Sequence, residues 1–193
     1  MSTTTIPETT IDKQIEQSIL SLIQGVQDDP TKAKAVFKAK SELTEGFRAD
    51  VSVRDFSFLS DEPKELGGTD LGPNPVEYVL GAFAACQEIV IKAYATVLGI
   101  DVISVKVEAE GSLDLHGFLN LSEERPGFTG VTFKTVIETS ESNPEKLKQL
   151  EFFSVNRCPV LDIIQNPVPV KGKIEFTKLN TNKPEPALTK STG

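Results

Sequence analysis

The chain has 193 residues, with 20 Lys+Arg against 28 Asp+Glu, two Cys, one His and no Trp. That length suits one domain with a sizeable core. The net charge of −8 argues against nucleic-acid or anionic-membrane partners, which bind basic surfaces, and one His with two Cys cannot make a four-ligand Cys/His zinc site.

Residues 1–10 (MSTTTIPETT) have neither the basic start nor the apolar core of a secretory signal. No run approaches the roughly 18 apolar residues of a membrane span, so a soluble cytoplasmic protein with a disordered residue 1–10 segment is expected. In a reducing compartment two thiols are expected to be redox-active, metal-binding or incidental rather than a structural disulfide. Ile11, Ile15, Ile19, Leu22, Ile23 and Val26 share one helical stripe. They predict a helix over 11–27, stopped by Asp28-Asp29-Pro30, within an N-terminal extension of residues 11–34.

From Val36 the period moves toward two. Residues 37–40 read as a strand, Thr44-Glu45-Gly46 as a turn, and Phe47, Ala49, Val51 and Val53 as a second strand. The apolar phase then slips to Phe56 and Phe58, which suggests a bulge at Arg54-Asp55. Residues 61–73 (DEPKELGGTDLGP) form a Gly- and Pro-rich loop.

Asn74-Pro75 has the chemistry of a helix start, with Asn as N-cap and Pro at the first helical position. Residues 75–98 are apolar on nearly every face, which predicts a buried central helix, and Gly99 ends it. Ile103, Val105, Val107 and Ala109 alternate as a strand, 113–128 is irregular, and Val131, Phe133, Thr135 and Ile137 alternate again. Asn143-Pro144 opens another helix with Leu147, Leu150 and Val155 inward. Cys158-Pro159 begins a short apolar turn or helix, residues 168–176 read as a last strand, and residues 178–193 as a disordered tail. Strands in neighbouring pairs with helices kept apart indicate an α+β fold.

The thiols differ in setting. Cys86 lies about three turns into the long helix among small residues, beyond reach of the terminal macrodipole, so a low pKa there needs a nearby cation. Cys158 sits between Arg157 and Pro159 in an N-cap-like position, where free N–H groups favour thiolate. Local chemistry therefore favours Cys158 as the nucleophile, while a buried Cys86 reads equally as a small hydrophobe.

The stretch from Gly67-Gly68 through Asn74-Pro75-Val76-Glu77 to Ala84-Ala85-Cys86, followed by Cys158-Pro159-Val160, resembles the two cysteine motifs of the OsmC/Ohr family. The resemblance covers about residues 35–177, and residues 111–119 (GSLDLHGFL) resemble an OsmC-like branch with an added N-terminal helix. It implies an α+β fold of antiparallel sheets around a long buried helix, in an intertwined homodimer with active sites near the subunit interface. It also implies reduction of an organic hydroperoxide substrate: Cys86 becomes a sulfenic acid, Cys158 resolves it to a disulfide, and a dithiol reductant restores both. No resident cofactor is expected. The activating Arg of the family lies before the Gly-Gly loop, where Arg48 and Arg54 are both candidates and bulge geometry favours Arg54. The family's orienting Glu falls on Val76 here, with Glu77 one place later and turned by about 100°. Two other readings are a Cys/His hydrolase using His116, and a non-catalytic binding or structural dimer with vestigial thiols.

Overall fold

The computed structural model describes residues 8–178. Helix α1 (Glu8–Asp28) begins three residues before the sequence expectation and is followed by a 3-10 turn, Pro30–Ala33. Three strands follow: β1 (Lys40–Glu45), β2 (Arg48–Val53) and β3 (Phe56–Ser60). Helix α2 (Pro75–Leu98) leads to β4 (Val102–Leu113), the single-turn helix α3 (Leu115–Phe118) and β5 (Phe128–Thr139). Helices α4 (Pro144–Asn156) and α5 (Pro159–Gln165) complete the order. The strands make two antiparallel sheets, β1-β2-β3 and β4-β5.

The phase slip at Arg54-Asp55 is a hairpin turn, not a bulge. Val53 pairs with Phe56 and Val51 with Phe58. A two-residue connection inverts the parity of the alternation, so Val53 and Phe56 share a face although they are three apart. Arg54 takes the left-handed backbone that such a turn needs, at φ 55°, and Gly46 does so in the preceding turn at φ 56°. The first strand also lies further along than expected, beginning at Lys40, and its side chains are exposed throughout.

Helix α2 organises the molecule. It packs on β4, α4, α1 and α5, with Lys92 paired to Asp12 of α1 at 2.8 Å. Its N-terminus carries a capping box. Asn74 Oδ1 accepts from the Glu77 N–H at 2.9 Å, and Glu77 Oε2 accepts from the Asn74 N–H at 2.8 Å. Gly99, at φ 62°, terminates it. Although the sequence showed no 18-residue apolar run, α2 is long and apolar enough to cross a membrane by length and composition. Its buried stripe, however, is Phe83, Gln87, Ile91 and Ala95, spaced four apart and packed on the rest of the protomer.

The helix is thus buried along one face rather than all round. Val79, Ile89 and Val97 are exposed at 41%, 69% and 42%. At 100° per residue these three fall within about 80° of arc with Cys86 between them.

Two clusters form the core. Ile91, Ala95, Ile100, Val102 and Leu150 make one, and Phe83, Cys158 and Leu161 make the other. On α4 the inward residues are Leu150 and Ser154, and Val155, expected inward, is exposed. The expected strand at 168–176 is absent. That stretch has no sheet partner among the described residues, and its alternating Val170, Ile174 and Phe176 are 85%, 84% and 95% exposed. Of the segments expected to be disordered, residues 8–10 instead form the first turn of α1, and residues 1–7 and 179–193 lie outside the described residues.

Between β3 and α2 the loop is built on Asp61, which is 1% exposed. Its carboxylate accepts from the Thr69 hydroxyl and from the N–H groups of Glu62, Thr69 and Leu71. The Thr69 hydroxyl bond, the strongest influence, holds the carboxyl below the usual Asp range. Gly68 lies so close to this loop that a Cβ there would stand 1.8 Å from the Glu62 carbonyl oxygen. Tyr78 donates its hydroxyl to the Leu59 carbonyl and packs on Phe58, tying β3 to α2.

Candidate active site

Helix α5 brings the two thiols together. Cys158 is its N-cap, with φ −84° and ψ 109°, and Pro159 occupies the first helical position. Proline has no N–H, so the first free donors of the helix are Val160 and Leu161. Leu161 N–H donates to Cys158 Sγ at 3.5 Å, and Val160 packs in the same cluster as Cys86. Both sulfurs thus lie at the first turn of α5, with Leu161 N–H donating to that of Cys158.

Cys86 is half-buried and packs on the cluster of Phe83, Cys158 and Leu161, together with Val90, Ala109, Val160 and Ile164. The two thiols meet in this cluster, and no disulfide joins them. Burial pushes the Cys86 thiol up, the Val160 N–H opposes this, and the neighbouring Cys158 raises it further. Cys158 itself is 2% exposed. Cys86 is therefore the more accessible sulfur, and Cys158 stands behind it.

The remaining candidates lie elsewhere in the protomer. Arg48 is half-buried on β2 and pairs with Glu45 at 2.7 Å. Arg54 sits at the tip of the β2–β3 turn, its guanidinium 5.1 Å from the Phe56 ring centroid. Neither guanidinium is among the groups acting on the Cys86 thiol. Glu77 is engaged in the capping box, nine residues and about 13 Å along the helix from Cys86. His116 bonds through Nδ1 to Asp114 at 2.7 Å on the insert between β4 and β5, and it too is absent from the groups acting on Cys86.

One polar residue beside the thiols escaped the sequence reading. Gln87, 1% exposed, donates from Nε2 to the Ser154 carbonyl at 2.9 Å. Its signal is a lone polar side chain in the register of Phe83, Ile91 and Ala95, visible only once the buried face of α2 is known.

Residues 68–173 match the family model described as OsmC-like protein. The chain belongs to the OsmC-like family. Solved structures agree in fold. An OsmC-like protein from Mycoplasma pneumoniae is 20% identical, with a TM-score of 0.59 over 69% of this chain and 90% of that one. The organic hydroperoxide resistance protein OsmC from Legionella pneumophila is 26% identical, with a TM-score of 0.52 over 71% and 94%. An organic hydroperoxide resistance protein from Elizabethkingia anophelis is 19% identical, with a TM-score of 0.51 over 69% and 91%. No curated protein matches the chain. The OsmC-like match covers the Gly68 loop, α2 and both cysteines, while α1 and the β1–β3 sheet lie before it.

Proposed function

We propose that this OsmC-like protein is a thiol-dependent peroxidase of organic hydroperoxides, with Cys86 attacking and Cys158 resolving. The observation that carries the reading is the meeting of the chain's two cysteines, 158 − 86 = 72 residues apart, as free thiols at one helical turn. Membership of the family, and the 26% identity to a protein named for organic hydroperoxide resistance, support it.

In the first step the Cys86 thiolate attacks the outer peroxide oxygen. The O–O bond breaks, the sulfur becomes a sulfenic acid, and the departing alkoxide takes a proton to leave as an alcohol. In the second, the Cys158 thiolate attacks the Cys86 sulfur, an S–S bond forms, and hydroxide leaves as water. A dithiol reductant then exchanges with the disulfide and is itself oxidised. Phe83, Val90, Ala109 and Ile164 surround the thiols, which favours alkyl peroxides over hydrogen peroxide through apolar burial.

The reading includes a homodimer. Among the described residues, cover is lacking on the stripe of α2 that flanks Cys86, on strand β1, and on the unpaired residues 168–176. A second copy laid on the α2 stripe would bury the open side of Cys86 and could carry one end of β2, with Arg48 at the β1–β2 turn or Arg54 at the β2–β3 turn, toward it. A cation there offsets the effect of burial on the thiol. Two free thiols also suit a reducing, cytoplasmic setting.

The test follows both thiols by mass as cumene hydroperoxide is added to reduced protein. Wild type should form the intramolecular disulfide, Cys158→Ser should stop at the Cys86 sulfenic acid, and Cys86→Ser should not turn over. Bulky alkyl peroxides should outperform hydrogen peroxide in kcat/KM. Retention of both thiols through excess peroxide overturns the reading in favour of a non-catalytic dimer, which Val76 and the raised Cys86 thiol would then explain.

A further inference from the structure

Helix α4 ends at Asn156, and its last carbonyls have no donors within the helix. The Phe153 carbonyl is satisfied by the Arg157 N–H at 2.9 Å. In a continuing helix the Ser154 carbonyl would take the N–H of Cys158, four residues on. Cys158 instead leaves the helical conformation to cap α5. Gln87 supplies the missing donor, its Nε2 lying 2.9 Å from the Ser154 carbonyl, with the two residues 1% and 8% exposed. Ser154 contributes only its carbonyl to this bond, because its hydroxyl is turned to the Glu151 carbonyl at 2.7 Å.

We propose that Gln87 is a positioning residue for disulfide closure: by satisfying the Ser154 carbonyl it stabilises the helix break that turns Cys158 toward Cys86. The inference rests on the peroxidase reading and adds to it a residue that touches no substrate. Gln87 adjoins Cys86 in sequence and bonds four residues before Cys158, so one side chain links both halves of the thiol pair. Its amide acts on the second chemical step alone. Sulfenic acid formation does not use the Cys158 sulfur, whereas closure requires that sulfur to be held on the line of attack.

The experiment is a single turnover of reduced protein with one equivalent of cumene hydroperoxide. Dimedone trapping reports the sulfenic acid and intact mass reports the disulfide. In Gln87→Met the first step should keep the wild-type rate constant, while closure slows by about tenfold or more and the sulfenic acid accumulates. Gln87→Asn retains the amide one methylene short of its partner, is the gentler variant for folding, and should shift the same ratio in the same direction. Ile100→Ala, a truncation in the other core cluster, controls for general destabilisation and should leave the ratio of the two steps unchanged. Closure at the wild-type rate in both Gln87 variants, or equal slowing of both steps, overturns the inference. A wild-type protein that forms neither sulfenic acid nor disulfide overturns the peroxidase reading itself, and the two failures are thereby distinguished.

Discussion

Cys86 on α2 and Cys158 at the head of α5 pack against one another as free thiols in one cluster with Phe83 and Leu161. The arrangement divides labour by exposure. Cys86 is half-open beside an uncovered apolar stripe, and Cys158 is closed behind it at 2% exposure. Of the two, Cys86 is the one a bulky peroxide can approach.

The first prediction concerns the cation. In the protomer burial raises the Cys86 thiol, and neither Arg48 nor Arg54 acts on it. In the proposed dimer one of them does, so the pH midpoint for alkylation of Cys86 by iodoacetamide should lie below about 8.5, the ordinary thiol value. Replacing the responsible arginine with Ala should move that midpoint up by at least about one unit, and replacing the other should not move it. A midpoint indifferent to both substitutions would remove arginine from the mechanism.

Assembly gives the second. Residues 168–176 alternate apolar side chains at Val168, Val170, Ile174 and Phe176 while pairing with no strand among the described residues, a pattern suited to adding a strand to a sheet edge. Light scattering should give twice the chain mass for the full protein. Changing Val170, Ile174 and Phe176 together to Ser should shift the population toward monomer. An unchanged dimer in that variant would show that the segment is not what joins the copies.

Two glycines make opposite predictions. At Gly68 a Cβ would meet the Glu62 carbonyl oxygen at 1.8 Å, a clash with backbone that no rotamer relieves. Gly68→Ala should cost about 3 kcal/mol or more in chemical denaturation, because the Asp61 loop must rebuild. At Gly25, in the last turns of α1, nothing lies within 4 Å. Gly25→Ala should stabilise the helix by up to about 1 kcal/mol.

Acid should act through Asp61. The Thr69 hydroxyl and three backbone N–H groups hold its carboxyl below the usual range when folded. A depressed folded pKa stabilises the native state at pH values above the unfolded value of about 4, and that stabilisation is lost as pH falls through the folded value. The stability difference between wild type and Asp61→Asn should therefore be largest near neutrality and shrink below about pH 4, followed by circular dichroism in urea. A difference independent of pH would mean that the charge contributes nothing to the loop.

Much of this was legible in the residues themselves. The Asn74-Pro75 start and Gly99 stop of α2, the alternation of β4 and β5, and the Asn143-Pro144 start of α4 are local signals, because capping and strand alternation depend on neighbours a few residues apart. The two cysteine motifs likewise pointed to the family before any fold was known. The phase slip at Arg54-Asp55 was visible too, but a bulge and a two-residue turn produce the same inversion of parity, and only the pairing of Val53 with Phe56 separates them.

What tertiary structure alone decided is which faces meet. Residues 168–176 carry a strand's alternation, but a strand exists only when an edge receives it, and none does among the described residues. Helix α2 is apolar nearly all round, yet only its Phe83-Gln87-Ile91-Ala95 stripe is covered. Glu77 could have been an orienting carboxylate and is instead half of a capping box. The opening count of two cysteines left open whether they met at all. Their contact, and the buried Gln87 bond beside it, depend on α4 and α5 folding back across the sequence gap, an outcome of packing that no local pattern encodes.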